Sequence, residues 1–209
     1  MKMNYGQWTE NKIKELNEKG MRPRLLLQCC CAPCSSAVWE YLAAHFEITA
    51  YYYNPNISPE SEYDLRADEL LRLAAELPLP SKISTLIAPY DPAPFETIAR
   101  GREDMPEGGA RCYECYKLRL EETARKALEG GYDYFCTTLS VSPYKKADWL
   151  NKLGEELSEK YGVAYLYSDF KKENGYRRSC DLSREYSLYR QAFCGCEYSK
   201  KEAERSGRI

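Results

Sequence analysis

The chain has 209 residues, 44% hydrophobic and 30% charged, with a formal net charge of −2. This is enough for one sizeable core and excludes a polycation, so any nucleic acid must meet a local basic surface. Residues 1–20 are polar, without a signal-peptide hydrophobic region, and no apolar run approaches the ~20 residues that span a bilayer. A cytoplasmic protein with no membrane partner is expected, with its thiols kept reduced.

In chain order, Trp8, Ile13 and Leu16 predict a helix over 8–17 packed by one face. Residues 24–28 read as a first strand that runs into Cys29-Cys30-Cys31-Ala32-Pro33-Cys34. Ser35 is the expected N-cap of a helix over 37–46. The β-branched and aromatic run 47–53 is a second strand, stopped by Asn54-Pro55-Asn56-Ile57-Ser58-Pro59. A long amphipathic helix follows over 60–77, with Leu65, Leu70, Leu73 and Leu77 among its apolar positions. Residues 83–88 form a third strand, and the Pro- and Gly-rich stretch 89–110 is a functional loop region with a short helix over 95–100. A helix over 112–129, a strand over 134–139, a helix over 147–161 and a short strand over 163–167 complete the pattern. Strand and helix alternate, which predicts an α/β fold: a mostly parallel sheet with helices on both faces. Residues 1–169 read as an α/β metal-site domain, and 170–209 as a basic, helical, cysteine-bearing extension packed on the same core.

Ten cysteines and a single histidine dominate the chemistry. Without a leader or a small loop-rich chain, a secreted disulfide scaffold is excluded, and metal or redox chemistry is favoured. With His45 alone, and that late in a helix, zinc sites needing two or three histidines are excluded. Cys29, Cys30, Cys31 and Cys34 occupy a loop at the carboxyl end of a strand, where α/β sheets place their ligands. Cys112 and Cys115 start a helix, where backbone N–H groups stabilise thiolates. Adjacent cysteines suit a structural zinc poorly, so joint thiolate ligation of an iron–sulfur cluster is the favoured reading. Cys194-Gly195-Cys196 reads as a redox relay, with two further metal ligands or exposed thiols as rivals. Cys136 and Cys180 read as small buried hydrophobes.

The sequence resembles the cobalamin-independent epoxyqueuosine reductases of the QueH type. The resemblance is carried by Leu25 through Ser35, by Tyr53-Asn54-Pro55-Asn56-Ile57 and by Arg111 through Leu120. Thr137 through Lys145, and Phe170-Lys171-Lys172 through Cys196, extend it across most of the chain. It implies a Rossmann-like fold of the pyrophosphatase-loop (HUP-like) kind, with cysteines in place of that loop. It also implies reduction of the epoxide of epoxyqueuosine to queuosine at the wobble position of tRNA, the final step of queuosine biosynthesis. By the same resemblance Cys30, Cys31, Cys112 and Cys115 hold a [4Fe–4S] cluster, and Cys194 and Cys196 form a redox-active disulfide. A second, mononuclear iron would sit at Cys34. The family often has a histidine where this chain has Gln28, and Cys29 has no assigned role.

The implied partners are tRNA carrying epoxyqueuosine and an unidentified electron donor. Asp169 and Tyr144 are candidate proton donors. Arg100, Arg102, Arg111, Lys145, Lys146, Lys171, Lys172, Arg177 and Arg178 are candidate contacts to the tRNA backbone, with Tyr113, Tyr144 and Tyr176 available to stack on bases. Two rival readings are a zinc-stabilised RNA-binding module without catalysis and an ATP-using tRNA-modifying enzyme. The missing Gly-rich phosphate loop argues against the second.

Overall fold

The computed structural model describes residues 3–207. Leu25, Leu26 and Leu27 are all fully buried, as expected of a strand covered on both faces, and they place β1 (Arg24–Gln28) at the sheet centre. All pairings are parallel, in the order β3-β2-β1-β4-β5. The other strands are β2 (Glu47–Tyr52), β3 (Ser84–Ile87), β4 (Tyr134–Thr137) and β5 (Ala164–Tyr165). The chain runs outward from β1 to β3, then returns to the other side of β1 with β4. The loops after β1 and β4 therefore diverge and open a crevice at the carboxyl edge, where such sheets bind ligands.

Alternation along the strands divides the core. Leu25, Leu27, Ile48, Ala50 and Tyr52 face α1 (Tyr5–Glu18), α2 (Ala32–Leu42) and α3 (Glu60–Glu76). Leu26, Tyr51 and Phe135 face α5 (Ala110–Glu129) and α6 (Ala147–Tyr161). The short α4 (Ala93–Ala99) packs on α5. From the C-terminal segment, Leu182 of α7 (Gly175–Glu185) and Leu188 join the first half of the core. The last helix is α8 (Glu197–Arg205). Among the described residues no helix is long and apolar enough to cross a membrane.

Several expectations are corrected. The second helix starts at Ala32 with Cys31 as its N-cap, not at residue 37 behind Ser35. Pro33 fits the first turn, where an N–H has no intrahelical partner, and Ser35 Oγ instead donates 2.8 Å back to the Cys31 carbonyl. Leu65 is solvent-exposed, whereas Leu70 and Leu73 are fully buried. The fourth strand ends at Thr137, whose Oγ1 accepts from the Leu139 N–H at 3.2 Å and starts a 3-10 turn over Thr138–Val141. The last strand is only two residues long.

Candidate metal and redox site

The pleat of β1 sorts the cysteine loop. Cys29 continues the ladder, its N–H donating 2.8 Å to the Tyr51 carbonyl, so its side chain follows Leu25 and Leu27 into the first half of the core. It is fully buried, its thiol reaches the Leu27 carbonyl at 3.3 Å, and burial pushes it far above the usual thiol range. Cys29 is therefore a core residue, which the period of two already contained. Cys30, one residue on, turns to the opposite side. The Cys30 and Cys31 sulfurs are 3.7 Å apart, and with Cys34 they form a triad whose sulfurs all lie within 4.8 Å of one another. Hydrogen bonds from Cys30 and Cys34 hold Cys31 well below the usual thiol range, and the same contact with Cys31 pushes Cys30 up to about 11.

Beneath the triad runs a buried polar network that the motif spacing alone did not reveal. Thr137 donates 2.8 Å to Gln28 Oε1, and Gln28 Nε2 donates 3.2 Å to Asn54 Oδ1. Asn54 Nδ2 donates 2.9 Å to the Cys29 carbonyl, and Asn54 Oδ1 also accepts from Arg119 on α5. Gln28 thus serves as a scaffold for the loop. Arg119 is buried and makes no salt bridge among the described residues. Its Nε has no hydrogen-bond partner, and the Cys115, Cys30 and Cys194 sulfurs lie around the guanidinium. The signal for these residues was their place inside the motifs Tyr53 through Ile57 and Arg111 through Leu120.

On the other side of Arg119, the start of α5 carries Cys112 and Cys115. With Cys194, Cys196, Tyr116 and Phe95 they line a small gap of about 10 Å³. Cys112 accepts from the Gly108 N–H at 3.3 Å, while burial raises Cys112 and pushes Cys115 up to about 12. Cys194 also lines a larger cavity of about 140 Å³ together with Cys30, Cys31, Cys34, Lys145 and Arg66. The fold thus brings the three cysteine groups around one buried region, with Cys194 reaching both cavities. Cys112 and Cys115 are not part of the close triad.

The Cys194–Cys196 loop is held from α3. Arg66 is buried, paired to Glu62 at 2.7 Å, and its Nη1 donates 3.1 Å to the Cys194 carbonyl. The Ser58 N–H donates 3.0 Å to the Gly195 carbonyl. Gly195 has φ +123, and a Cβ there would lie 2.9 Å from Ile57 Cγ1 and 3.1 Å from Arg66 Nη1, so only glycine fits.

Other candidates divide. Tyr144, 70% exposed, and Tyr176 line the mouth of the larger cavity. Asp169 does not line it; it pairs with Lys171 at 2.5 Å. Arg111 is buried, donating to the Arg102 and Glu103 carbonyls at 2.7 and 2.9 Å, and Lys145 is buried against Cys194. Neither presents its charge to solvent, because the loop 100–110 and the Cys194 segment cover them. Arg178 pairs with Glu40 at 2.6 Å, whereas Arg100, Lys146, Lys172 and Arg177 remain exposed. Tyr113 packs edge-on against Trp149. Cys136 is a buried strand residue reaching the Leu166 carbonyl at 3.1 Å, and Cys180 is half-buried on α7. His45 is half-buried beyond α2, 3.1 Å from Asn17 Oδ1.

Sheet order and thiol-lined switch point define the class: a Rossmann-like α/β protein with cysteines at its ligand edge. The chain shares its fold with a predicted subunit of a tRNA methyltransferase from Methanocaldococcus jannaschii (TM-score 0.51, 13% identity, 78% of this chain and 74% of that one). It shares it also with the U34-tRNA thiolase NcsA from Methanococcus maripaludis, solved with its [4Fe-4S] cluster (TM-score 0.53, 13% identity, 92% and 67%). Within that class the chain belongs to the epoxyqueuosine reductase QueH family, whose model matches residues 25–202. It is 41% identical to the epoxyqueuosine reductase QueH of Streptococcus pyogenes serotype M1, over 96% of this chain and 79% of that one. The QueH proteins of Staphylococcus epidermidis and Thermotoga maritima are 40% and 33% identical, over 95% and 85% of this chain and 85% and 91% of theirs.

Proposed function

We infer that this chain is an epoxyqueuosine reductase: it reduces the epoxide of epoxyqueuosine in tRNA to the alkene of queuosine, at the wobble position. The observation that carries the reading is the cavity where Cys194 meets Cys30, Cys31 and Cys34, in a chain of this family. Removing an epoxide oxygen as water consumes two electrons and two protons, and closing a dithiol to a disulfide releases both. Cys194 and Cys196 are the proposed pair, returned to the dithiol by an electron donor.

The donor set fits an iron–sulfur cofactor. Buried charges need partners, and the buried guanidinium of Arg119, flanked by Cys30 and Cys115, pairs with no carboxylate among the described residues. Thiolates carrying an anionic cluster supply that missing charge. Cys30, Cys31, Cys112 and Cys115 would hold a [4Fe–4S] cluster, which when bound moves electrons singly. Cys34 would hold a second, mononuclear iron, which as a Lewis acid polarises an epoxide oxygen. The chain's own residues orient the substrate. Tyr144 and Tyr176 at the cavity mouth would offer faces for a base turned out of the anticodon loop, and the exposed Lys146, Lys172 and Arg177 would meet backbone phosphates. Tyr144 is the proposed proton donor.

The test is anaerobic purification followed by absorption spectroscopy and iron and sulfide analysis, then mass spectrometry of reacted tRNA. Iron and sulfide with loss of one oxygen from the modified base are expected. Tightly bound zinc alone, with unchanged tRNA, would favour the RNA-binding module instead.

A further inference from the structure

The two cysteines of the Cys194-Gly195-Cys196 loop are not equivalent. Cys196 is buried and tied to the start of α8. It is the N-cap residue, its Sγ accepts from the Ser199 N–H at 3.4 Å, and its thiol reaches Ser199 Oγ at 3.4 Å. Burial raises it above the usual thiol range. Cys194 is more exposed and lines both cavities.

Lys145 makes the second difference. Its side chain is only 7% exposed, and its Nζ lies 3.2 Å from the Cys194 sulfur and 3.4 Å from Glu107 Oε1, below the Tyr116 ring. An ammonium is rarely buried without a firm anionic partner. Here burial disfavours the charge, yet Cys194, Tyr116 and Glu107 together hold Lys145 well above the usual lysine range. The carboxylate contact is the longer of the two, so the sulfur is the nearer partner. Such a cation beside a thiol favours the thiolate, which is the nucleophile in thiol exchange.

We propose that Lys145 is a positioning residue that orders the cysteine pair, making Cys194 the sulfur that reacts first and leaving Cys196 as the thiol that closes the disulfide. This rests on the reading of the two cysteines as a redox pair. The balance is simple. The Cys194 and Cys196 thiols form one S–S bond, releasing two electrons and two protons. Those are the two electrons and two protons consumed as the epoxide oxygen leaves as water.

The experiment is timed alkylation of the reduced, anaerobic holoprotein with iodoacetamide, each site read by peptide mass spectrometry. Cys194 is expected to be labelled about tenfold faster than Cys196, Lys145→Gln to slow Cys194 about tenfold, and Lys145→Arg to restore most of the rate. A lysine that merely props the loop would not show rescue confined to the Cys194 rate. Equal labelling of the two cysteines in the unaltered protein overturns the proposal without any variant having to fold. So does a Cys194 rate unchanged in Lys145→Gln. Oxidised dithiothreitol, applied to the same protein, tests the underlying reading separately. If no Cys194–Cys196 disulfide appears, the redox pair itself is wrong; if it forms while the alkylation order fails, only the role of Lys145 is.

Discussion

Asn54 Oδ1 accepts from Arg119 while Asn54 Nδ2 donates to the Cys29 carbonyl, so one side chain ties α5 to the cysteine loop after β1. The separation of Cys30 and Cys31 from Cys112 and Cys115 is thereby set by a buried amide. Asn54→Ala removes partners from Gln28, Arg119 and Cys29 at once. Leaving such groups unsatisfied is expected to cost about 2 kcal/mol in urea unfolding. Arg119→Met keeps the bulk but removes the cation, and iron per chain after anaerobic purification should drop severalfold. Undiminished iron in Arg119→Met contradicts the charge-balance argument for the cofactor.

Cys29→Ala separates the core cysteine from its neighbours. It is expected to leave iron content and reductase activity intact and to cost about 1 kcal/mol for the small cavity. Cys30→Ala and Cys31→Ala should lose iron. Loss of iron in Cys29→Ala would exchange the assignments.

Gly195→Ala forces a Cβ against Ile57 and Arg66 in a backbone conformation that costs about 1–3 kcal/mol for a side chain. The loop must shift, which moves Cys194 relative to Lys145. Multiple turnover should fall at least tenfold while iron content stays normal, because Gly195 lies outside the proposed ligand set. Steady-state kinetics beside iron analysis checks both halves.

Glu40 and Arg178 link α2 to α7, and the hydrogen bond from Arg178 holds the Glu40 carboxyl below its ordinary range. A carboxyl depressed in the folded state stabilises above its unfolded value of about 4.3 and loses that contribution as pH falls through the folded value. Both side chains are more than 40% exposed, so Glu40→Gln should cost at most about 0.5 kcal/mol near neutral pH. Its stability should converge with that of the unaltered protein in acid. A constant difference from pH 7 down to pH 2 argues against an electrostatic origin.

Much of this was legible from local signals. Three leucines before the cysteine loop, the breakers after Tyr53 and the helical periods placed the strands and helices of the sheet layer in order, most to within a few residues, the helix after the cysteine loop starting five residues earlier than expected. Boundaries slipped where side-chain hydrogen bonds intervened, as at Ser35 and Thr137. Leu65 misled because it lies on the solvent face of α3, while Tyr63, Arg66 and Ala67 of the same turn are buried. The cysteine groups could be named from spacing, but charged residues such as Arg111 and Lys145 read as surface cations. Local sequence carries no record of which distant segment covers a side chain.

The sequence by itself determined an alternating α/β chain with cysteines at the carboxyl ends of β1 and beyond β3, and a Cys-Gly-Cys turn near its end. These are consequences of short-range periodicity and residue chemistry. Only the tertiary structure decided the rest. The strand order put the loops after β1 and β4 on either side of a crevice. The pleat sent Cys29 inward and Cys30 across the sheet. The return of the C-terminal segment over α3 and α5 brought Cys194 to Lys145, a contact between residues 49 apart. Burial then turned lysine and arginine charges from solvated surface groups into partners that the sulfurs must balance.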